Sequence, residues 1–191
     1  MNRNPARKTR VSAGLLAAWI GALGCAAGVC AEGEELIGTP APEFAVTRWV
    51  QSEPLTLARL RGSVVLVRFW TDHCPFCSSS APILARLHER YEREGLVIVG
   101  IYHPKPPRPV DEVDVERAAR ALGMAFPIGV DPSWETARRY WLNGTERSWT
   151  SASFLIDRRG IIRFVHPGGS YTPEEAKALE EAVTSGLART G

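Results

Sequence analysis

The chain has 191 residues, a length that suits one domain with its own core and is short for two. Its hydrophobic content of 45% and charged content of 23% are ordinary for a globular protein and exclude a long, compositionally disordered chain. The net charge of +2 comes from the first ten residues, which hold four Lys/Arg; the rest has 19 basic against 21 acidic residues. Such a balance offers no basic face, so we expect no nucleic-acid partner.

The N-terminus has the features of a targeting segment, to which we assign residues 1–31. Basic residues precede an uncharged stretch at 11–31, and acidic residues follow at once, as in a signal peptide. Three alternatives stay open: a signal cleaved after Ala31, a lipoprotein with Cys25 as its modified end, and an uncleaved anchor, since about 20 apolar residues can span a bilayer. All three place the domain, residues 32–191, outside the cytoplasm, either in the periplasm or anchored to the membrane facing it.

Two buried strands flank a helix in the first half of the domain. Residues 32–62 are irregular and turn-rich, and the β-branched run SVVLVRFW at 63–70 predicts a buried strand. Apolar residues at helical spacing after Cys74 predict a helix that Gly95 ends, and LVIVGIY at 96–102 predicts a second strand. Strand, helix, strand in this order predicts a right-handed βαβ unit with parallel strands.

The second half continues with helices and strands after a stiff, proline-rich loop. The predicted elements are a helix at 111–123, a strand at 126–131, a helix at 132–142 with Pro132 in its first turn, strands at 152–157 and 161–166, and a closing helix at 172–187. Thr172 with Glu175 three residues on is the pattern of a capping box. No internal repeat or linker interrupts the series, so we predict a single α/β domain.

The cysteines of the domain point to redox chemistry. Of the four in the chain, Cys25 and Cys30 fall in the N-terminal segment, which leaves Cys74 and Cys77. A disulfide between residues so close in sequence adds little loop entropy, so a structural staple explains the pair poorly. A C-x-x-C motif near a βαβ unit is instead typical of a redox-active dithiol. We therefore predict that Cys74 and Cys77 are catalytic.

The position of the motif gives the two cysteines separate roles. Pro75 suits the first helical position, where its missing N–H costs nothing, so Cys74 would lie at the helix N-terminus. Unpaired backbone N–H groups there stabilise a thiolate, and we expect them to lower the pKa of Cys74. Cys77 would lie one turn further in and be more sheltered. Cys74 should therefore attack a disulfide, and Cys77 should resolve the mixed disulfide that forms.

These motifs resemble the thioredoxin superfamily, and more closely its exported TlpA/ResA-like thiol–disulfide oxidoreductases. The resemblance covers roughly residues 37–170. It is carried by IGTPAPEF, LTLARLRGSVVLVRFWTDHCPFCSSSAPIL, GLVIVGI, FPIGVD and FLIDRRGIIRFVHPG, which follow one another in the family's order. The resemblance implies a thioredoxin-like three-layer α/β/α fold with a central mixed sheet and a dithiol at a helix start.

The same resemblance implies a function and its partners. Proteins with disulfides or dithiols would be the substrates, in some relatives apocytochrome c, and a membrane protein would donate electrons. The direction of electron flow stays open. We expect a monomer that needs no cofactor and no metal. Cys74 and Cys77 carry over as the catalytic pair, and the active-site neighbours are Trp70, His73, Pro75, Phe76, Thr150 and Ser151.

Three residues depart from the family's pattern. A proline, usually cis, precedes the FLID strand in relatives, whereas Ser151 stands there in this chain. Because a cis bond before a non-proline residue costs roughly 2.5–4 kcal/mol, we predict a trans peptide between Thr150 and Ser151. His73 replaces a tryptophan, and a protonated His73 would favour the Cys74 thiolate. Arg68 replaces an asparagine or a buried aspartate.

Arg68 has two readings. Its place just before Phe69 can direct it beneath the helix, where a buried charge needs a partner and Asp157 or Glu43 are candidates. Alternatively, its long side chain reaches the surface. The sequence leaves both open.

Two other functions compete with disulfide exchange. A copper-binding or metallochaperone module would use Cys74, Cys77 and a histidine, with His103 and His166 at strand ends as candidates. A peroxidase of the peroxiredoxin type would need a threonine and a proline ahead of the cysteine. Thr71 is present, but it lies three residues before Cys74, and no proline stands directly ahead of it.

Overall fold

A computed structural model describes residue 1, residues 32–46 and residues 48–189 of the chain. The strands are β1 (Arg48–Val50), β2 (Val64–Trp70), β3 (Leu96–Tyr102), β4 (Ile128–Val130), β5 (Ala152–Ile156) and β6 (Ile162–Pro167). The helices are α1 (Pro75–Tyr91), α2 (Glu112–Ala121), α3 (Glu135–Tyr140) and α4 (Pro173–Ala188), and short 3₁₀ turns occupy Glu34–Leu36 and Glu92–Glu94.

The six strands form one mixed sheet in the order β1-β4-β3-β2-β5-β6. β2 pairs in parallel with β3, and β3 in parallel with β4, whereas β1, β5 and β6 each run antiparallel to their neighbours. The predicted βαβ unit is thus confirmed as β2-α1-β3. This unit places the C-terminal end of β2, an inner strand of the sheet, next to the start of α1.

Both faces of the sheet are covered, which explains the unbroken apolar run of β2. On one face Val64, Leu66 and Trp70 pack with residues of α1, α2 and α4. On the other face Val65 and Phe69 pack with α3 and with the opening segment that precedes β1. Helices therefore lie on both sides of a mixed sheet, and the predicted three-layer α/β/α fold is confirmed.

Two elements differ from the sequence predictions. β1 was not expected, because a three-residue strand is too short to display a period-two pattern, and β4 is its one partner in the sheet. α3 begins at Glu135 rather than at 132, because Trp134 adopts a left-handed conformation with φ 63°. The carboxylate of Asp131 accepts the N–H of Ala137 at 2.9 Å and so stabilises the first turn of this late-starting helix.

Of the predicted targeting segment, residues 1–31, all but residue 1 lie outside the described residues, Cys25 and Cys30 included. The division of the chain at residue 32 therefore stays a prediction. In the part of the chain that the structure describes, no helix combines the length and the hydropathy needed to cross a bilayer.

Candidate active site

The two cysteines lie at the start of α1, with free thiols. Cys74 is the residue that caps the helix, and its Sγ accepts the backbone N–H of Cys77 at 3.2 Å. Pro75 occupies the first turn, as predicted from its missing N–H. Cys74 is partly exposed and Cys77 is fully buried. An accessible thiol beside a sheltered one is the arrangement that an attacking and a resolving cysteine require.

The expectation that the pKa of Cys74 is lowered is wrong. Burial raises the pKa of the Cys74 thiol, and the neighbouring Cys77 thiol raises it further. The backbone N–H groups of Cys77 and Phe76 lower the pKa, as the helix N-terminus should, but they are outweighed. The sequence indicated the helix start but not how far the surrounding structure covers the sulfur.

Thr150 and Ser151 come from the segment just before β5, and Ser151 faces the dithiol. The Ser151 Oγ lies 3.6 Å from the Cys77 Sγ, within hydrogen-bonding range of sulfur. In the described chain the cis peptide bond is that between Lys105 and Pro106, so the bond before Ser151 is trans, as predicted. Ser151 is buried, so its hydroxyl lies beside the buried Cys77 thiol at the position where the resemblance implies a proline.

The other predicted neighbours divide into buried and exposed groups. Trp70 is fully buried at the end of β2 and packs edge-on against Tyr102. The ring of His73 is 93% exposed and lies 3.7 Å from the Asp72 carboxylate, so it faces solvent. Phe76 is 49% exposed and meets the exposed ring of Trp149 edge-on at 5.7 Å. Phe76 and Trp149 thus form an apolar surface beside Cys74.

Neither prediction for Arg68, a buried ion pair or a side chain that reaches the surface, described its surroundings fully. The side chain is fully buried on the α1 face of β2, so it does not reach the surface, and neither proposed carboxylate pairs with it. Asp157 pairs with Arg163, and Glu43 accepts the backbone N–H of Leu57. The strand alternation turns Arg68 toward α1, whereas Glu43 belongs to the segment that covers the opposite face.

A glycine that sequence reasoning passed over packs directly against the motif. A Cβ on Gly169 would lie 2.6 Å from the Phe76 Cβ and 3.5 Å from the Cys77 nitrogen, so no larger residue fits without a shift of the helix start. Gly169 follows β6 in the stretch PGG, and the only signal in the sequence was that PGG breaks the chain.

This geometry gives little support to the copper-binding and peroxidase alternatives. In residues 32–46 and 48–189, no group of three or more His, Cys, Asp or Glu side chains is placed to hold a metal ion. His103 instead contacts the Thr150 Oγ1 through its Nε2 at 3.1 Å. The hydroxyl of Thr71 donates to the Asp72 carboxylate at 3.2 Å.

The stability of the fold should depend on pH through His103. Burial, with the charges of Lys105 and Arg68, lowers the pKa of His103 to about 4, from about 6.5 when unfolded. The folded state thus holds a neutral imidazole, and the unfolded state binds more protons between these two values. We expect unfolding free energy to fall by up to about 3 kcal/mol as pH drops from about 6.5 to about 4.

Chemical denaturation across this pH range checks the dependence on His103. His103→Gln should flatten the slope, and His73→Gln, at an exposed ring, should leave it as in the wild type. An equal slope in the wild type and His103→Gln would refute the assignment.

Comparisons with known proteins agree on one family. The sequence profile of the AhpC/TSA family matches residues 37–165. The chain is 31% identical over 153 residues to Protein DipZ of Mycobacterium tuberculosis, an alignment covering 76% of this chain and 21% of DipZ. It is 25% identical over 147 residues to thiol-disulfide oxidoreductase ResA of Geobacillus thermodenitrificans, covering 77% of this chain and 78% of ResA. The chain thus spans about a fifth of DipZ and most of ResA.

The solved structures agree with the sequence relatives. A Chlorobium tepidum protein, provisionally named thiol:disulfide interchange protein DsbE, superposes with a TM-score of 0.65 at 27% identity. The match covers 80% of this chain and 98% of that one.

Proposed function

We propose, on the premise that this chain belongs to the AhpC/TSA family, that it is a thiol–disulfide oxidoreductase with Cys74 and Cys77 as its catalytic residues. The observation that carries the proposal is the dithiol itself. A partly exposed thiol caps α1, and a buried thiol lies one turn behind it. The relatives named thiol-disulfide oxidoreductase and thiol:disulfide interchange protein support the same activity.

The reaction follows from the two positions. The Cys74 thiolate attacks one sulfur of a partner disulfide, forms a mixed disulfide and releases the partner's other sulfur as a thiolate that takes up a proton. Cys77 then loses its proton and attacks the Cys74 Sγ. The bond between Cys74 and the partner breaks, and the partner leaves as a dithiol. This protein has then lost two electrons to the partner and holds a Cys74–Cys77 disulfide. The Ser151 hydroxyl, 3.6 Å from the Cys77 Sγ, is placed to donate to the resolving thiolate.

We further propose that this exchange takes place outside the cytoplasm. The basic and then uncharged pattern of residues 1–31 supports export or anchoring. The substrates would be proteins with disulfides or dithiols, and a membrane protein would return electrons to the Cys74–Cys77 disulfide. We propose that the chain acts as a monomer. The apolar surface formed by Phe76 and Trp149 would meet the substrate beside the attacking sulfur.

The reduction potential of the pair tests the proposal and sets its direction. Because burial raises the pKa of Cys74, the reduced state gains little from a stabilised thiolate. We therefore expect a potential nearer to about −270 mV, as in thioredoxin, than to about −120 mV, as in strong oxidants. Equilibration with glutathione or dithiothreitol buffers, followed by alkylation of free thiols, measures the value.

Each other outcome has a defined meaning. A value near about −120 mV would reverse the direction and make the protein an oxidant. The absence of a reversible two-electron couple would overturn the oxidoreductase function itself. A Cys74→Ser, Cys77→Ser double variant gives the baseline for the alkylation measurement.

A further inference from the structure

A buried guanidinium lies under the first turns of α1. Arg68 is fully inaccessible to solvent, and strand alternation directs it to the same face of β2 as Leu66 and Trp70. One end of the fork donates to the Ser153 Oγ at 3.0 Å and to the Gly168 carbonyl at 3.1 Å. The other end donates to the Ser80 Oγ at 3.1 Å and to the carbonyl of Gly169.

The charge of Arg68 is not balanced by a carboxylate. In the described residues, no Asp or Glu oxygen lies within 4.0 Å of its guanidinium, and its partners are two hydroxyls and two carbonyls, all neutral. The ring of Tyr171 lies 5.5 Å from the guanidinium carbon. These neutral hydrogen bonds satisfy the two terminal nitrogens of the fork, whereas the Nε–H has no partner among the described residues. The hydrogen bonds leave the net charge in place, in surroundings where water screens it little.

This cation is joined to the dithiol by a short chain of contacts. Ser80, which accepts from Arg68, donates through the same hydroxyl to the Cys77 carbonyl at 3.0 Å. Gly169, whose carbonyl also accepts from Arg68, packs on the backbone of Phe76 and Cys77. The guanidinium thus lies on the sheet side of the helical turn that carries Cys77, and it is hydrogen-bonded to two residues that contact this turn. Its charge has the same sign as the N-terminal end of the helix dipole.

We propose that Arg68 is a positioning residue whose uncompensated charge favours the thiolate of Cys77 and so speeds resolution of the mixed disulfide. This role rests on the proposed oxidoreductase function. In the step concerned, Cys77 loses its proton, and its sulfur forms a bond to the Cys74 Sγ. The bond between Cys74 and the partner breaks, and the partner sulfur leaves with the electron pair and takes up a proton. Arg68 stabilises the negative charge on Cys77 before the attack and does not itself transfer a proton.

The charge of Arg68 already acts on other groups around the site. Burial is the main cause that lowers the pKa of His103 and of His166, and the charge of Arg68 lowers both a little further. By the same electrostatic rule, a positive charge that disfavours a protonated imidazole favours a thiolate. Other titratable or charged groups around the dithiol and Arg68 include Cys74, Asp72, His73, Tyr102, Arg108, Tyr171 and Glu175. Asp72 pairs with Arg108 and His73, and Glu175 with His166, so these carboxylates have their own partners.

The experiment is a titration of the Cys77 thiolate, followed by ultraviolet absorbance in the full chain. The parent protein carries Cys74→Ser, so that Cys77 is the thiol that titrates in the domain. Two further substitutions, Cys25→Ser and Cys30→Ser, remove the signals of those thiols. We expect Arg68→Met to raise the titration midpoint of Cys77 by about one unit, which means about tenfold less thiolate at any pH below the midpoint. Arg68→Lys keeps the charge and should stay within about threefold of the parent.

A second pair of variants changes the charge without touching Arg68. Ser153→Asp places a carboxylate against the guanidinium and should raise the midpoint as Arg68→Met does. Ser153→Asn has nearly the same shape and no charge, so it should leave the midpoint in place. This pair tests the effect of removing the net positive charge if Arg68→Met does not fold.

The rate of resolution gives the second readout. Because a thiolate with a higher pKa is also a better nucleophile, a tenfold loss of thiolate should slow release of the partner at neutral pH only about threefold. The inference is overturned if Ser153→Asp and every folded Arg68→Met sample keep the parent's midpoint, or if Ser153→Asn raises it as much as Ser153→Asp. A wild type without a reversible redox couple would refute the oxidoreductase function but not the titration result, so the two failures can be distinguished.

Discussion

Replacing Cys74 with serine should lower the rate of disulfide exchange by more than about 1000-fold, because a hydroxyl is neither ionised nor nucleophilic enough to replace a thiolate. Replacing Cys77 should have a different result. Cys74 can then still attack, but no second thiol follows, so the partner stays attached as a mixed disulfide. The partial exposure of Cys74 and the complete burial of Cys77 are the reason for assigning the roles this way round.

Reduction of a small disulfide-containing protein, followed over time, measures the first effect, and a non-reducing gel detects the trapped adduct. Ser79→Ala, at an exposed position in the first turns of α1, serves as the matched control and should react as the wild type does. Residual exchange by Cys74→Ser, or an adduct that forms through Cys77 instead, would contradict the assignment.

Truncating Phe154 to alanine should reduce the free energy of unfolding by about 4 kcal/mol, since a fully buried phenylalanine leaves a large cavity when it is removed. Its ring lies at the centre of the α3 face of the sheet. The ring centroids of Phe69, Tyr140 and Trp141 are 5.9, 5.4 and 5.8 Å away, so all three lose a packing partner. Such edge-on aromatic contacts add to the loss of buried area.

Denaturant unfolding measures this loss of unfolding free energy, with the dependence of the free energy on denaturant concentration compared between wild type and variant. Phe164→Ala in β6, where the ring is only partly buried, is the control and should cost less than half as much. A loss below about 2 kcal/mol for Phe154→Ala would mean that the surrounding rings close over the cavity.

Local signals made the centre of the fold predictable. The apolar run of β2, the proline at the start of α1 and the glycine after its end each act within a few residues, and together they predicted the βαβ unit and the position of the dithiol. The resemblance to the thioredoxin superfamily and the three-layer fold are likewise confirmed. β1 and the late start of α3 were missed because pairing and a left-handed residue, rather than periodicity, determine them.

The surroundings of the site depended on contacts that sequence distance conceals. Arg68 meets Ser153 and Gly169, which follow it by 85 and 101 positions. The sequence suggested that a buried arginine needs a carboxylate, whereas neutral oxygens surround it. The raised pKa of Cys74 has a similar origin, because the helix start can be predicted locally and the burial of the sulfur cannot.

Residues 38–41 cover part of an exposed strand edge, and this affects solubility. β6 is an edge strand, and an unpaired strand edge is a template for association with another chain. Backbone bonds from Gly38 to Ile162 and from Ile162 to Thr39 cover part of this edge, and Pro40, which has no N–H to offer, bridges to Ile161. Proteolysis that removed these few residues would leave the active-site elements in place but uncover a β-edge. Residues 38–41 therefore protect this edge of the sheet from association with another chain.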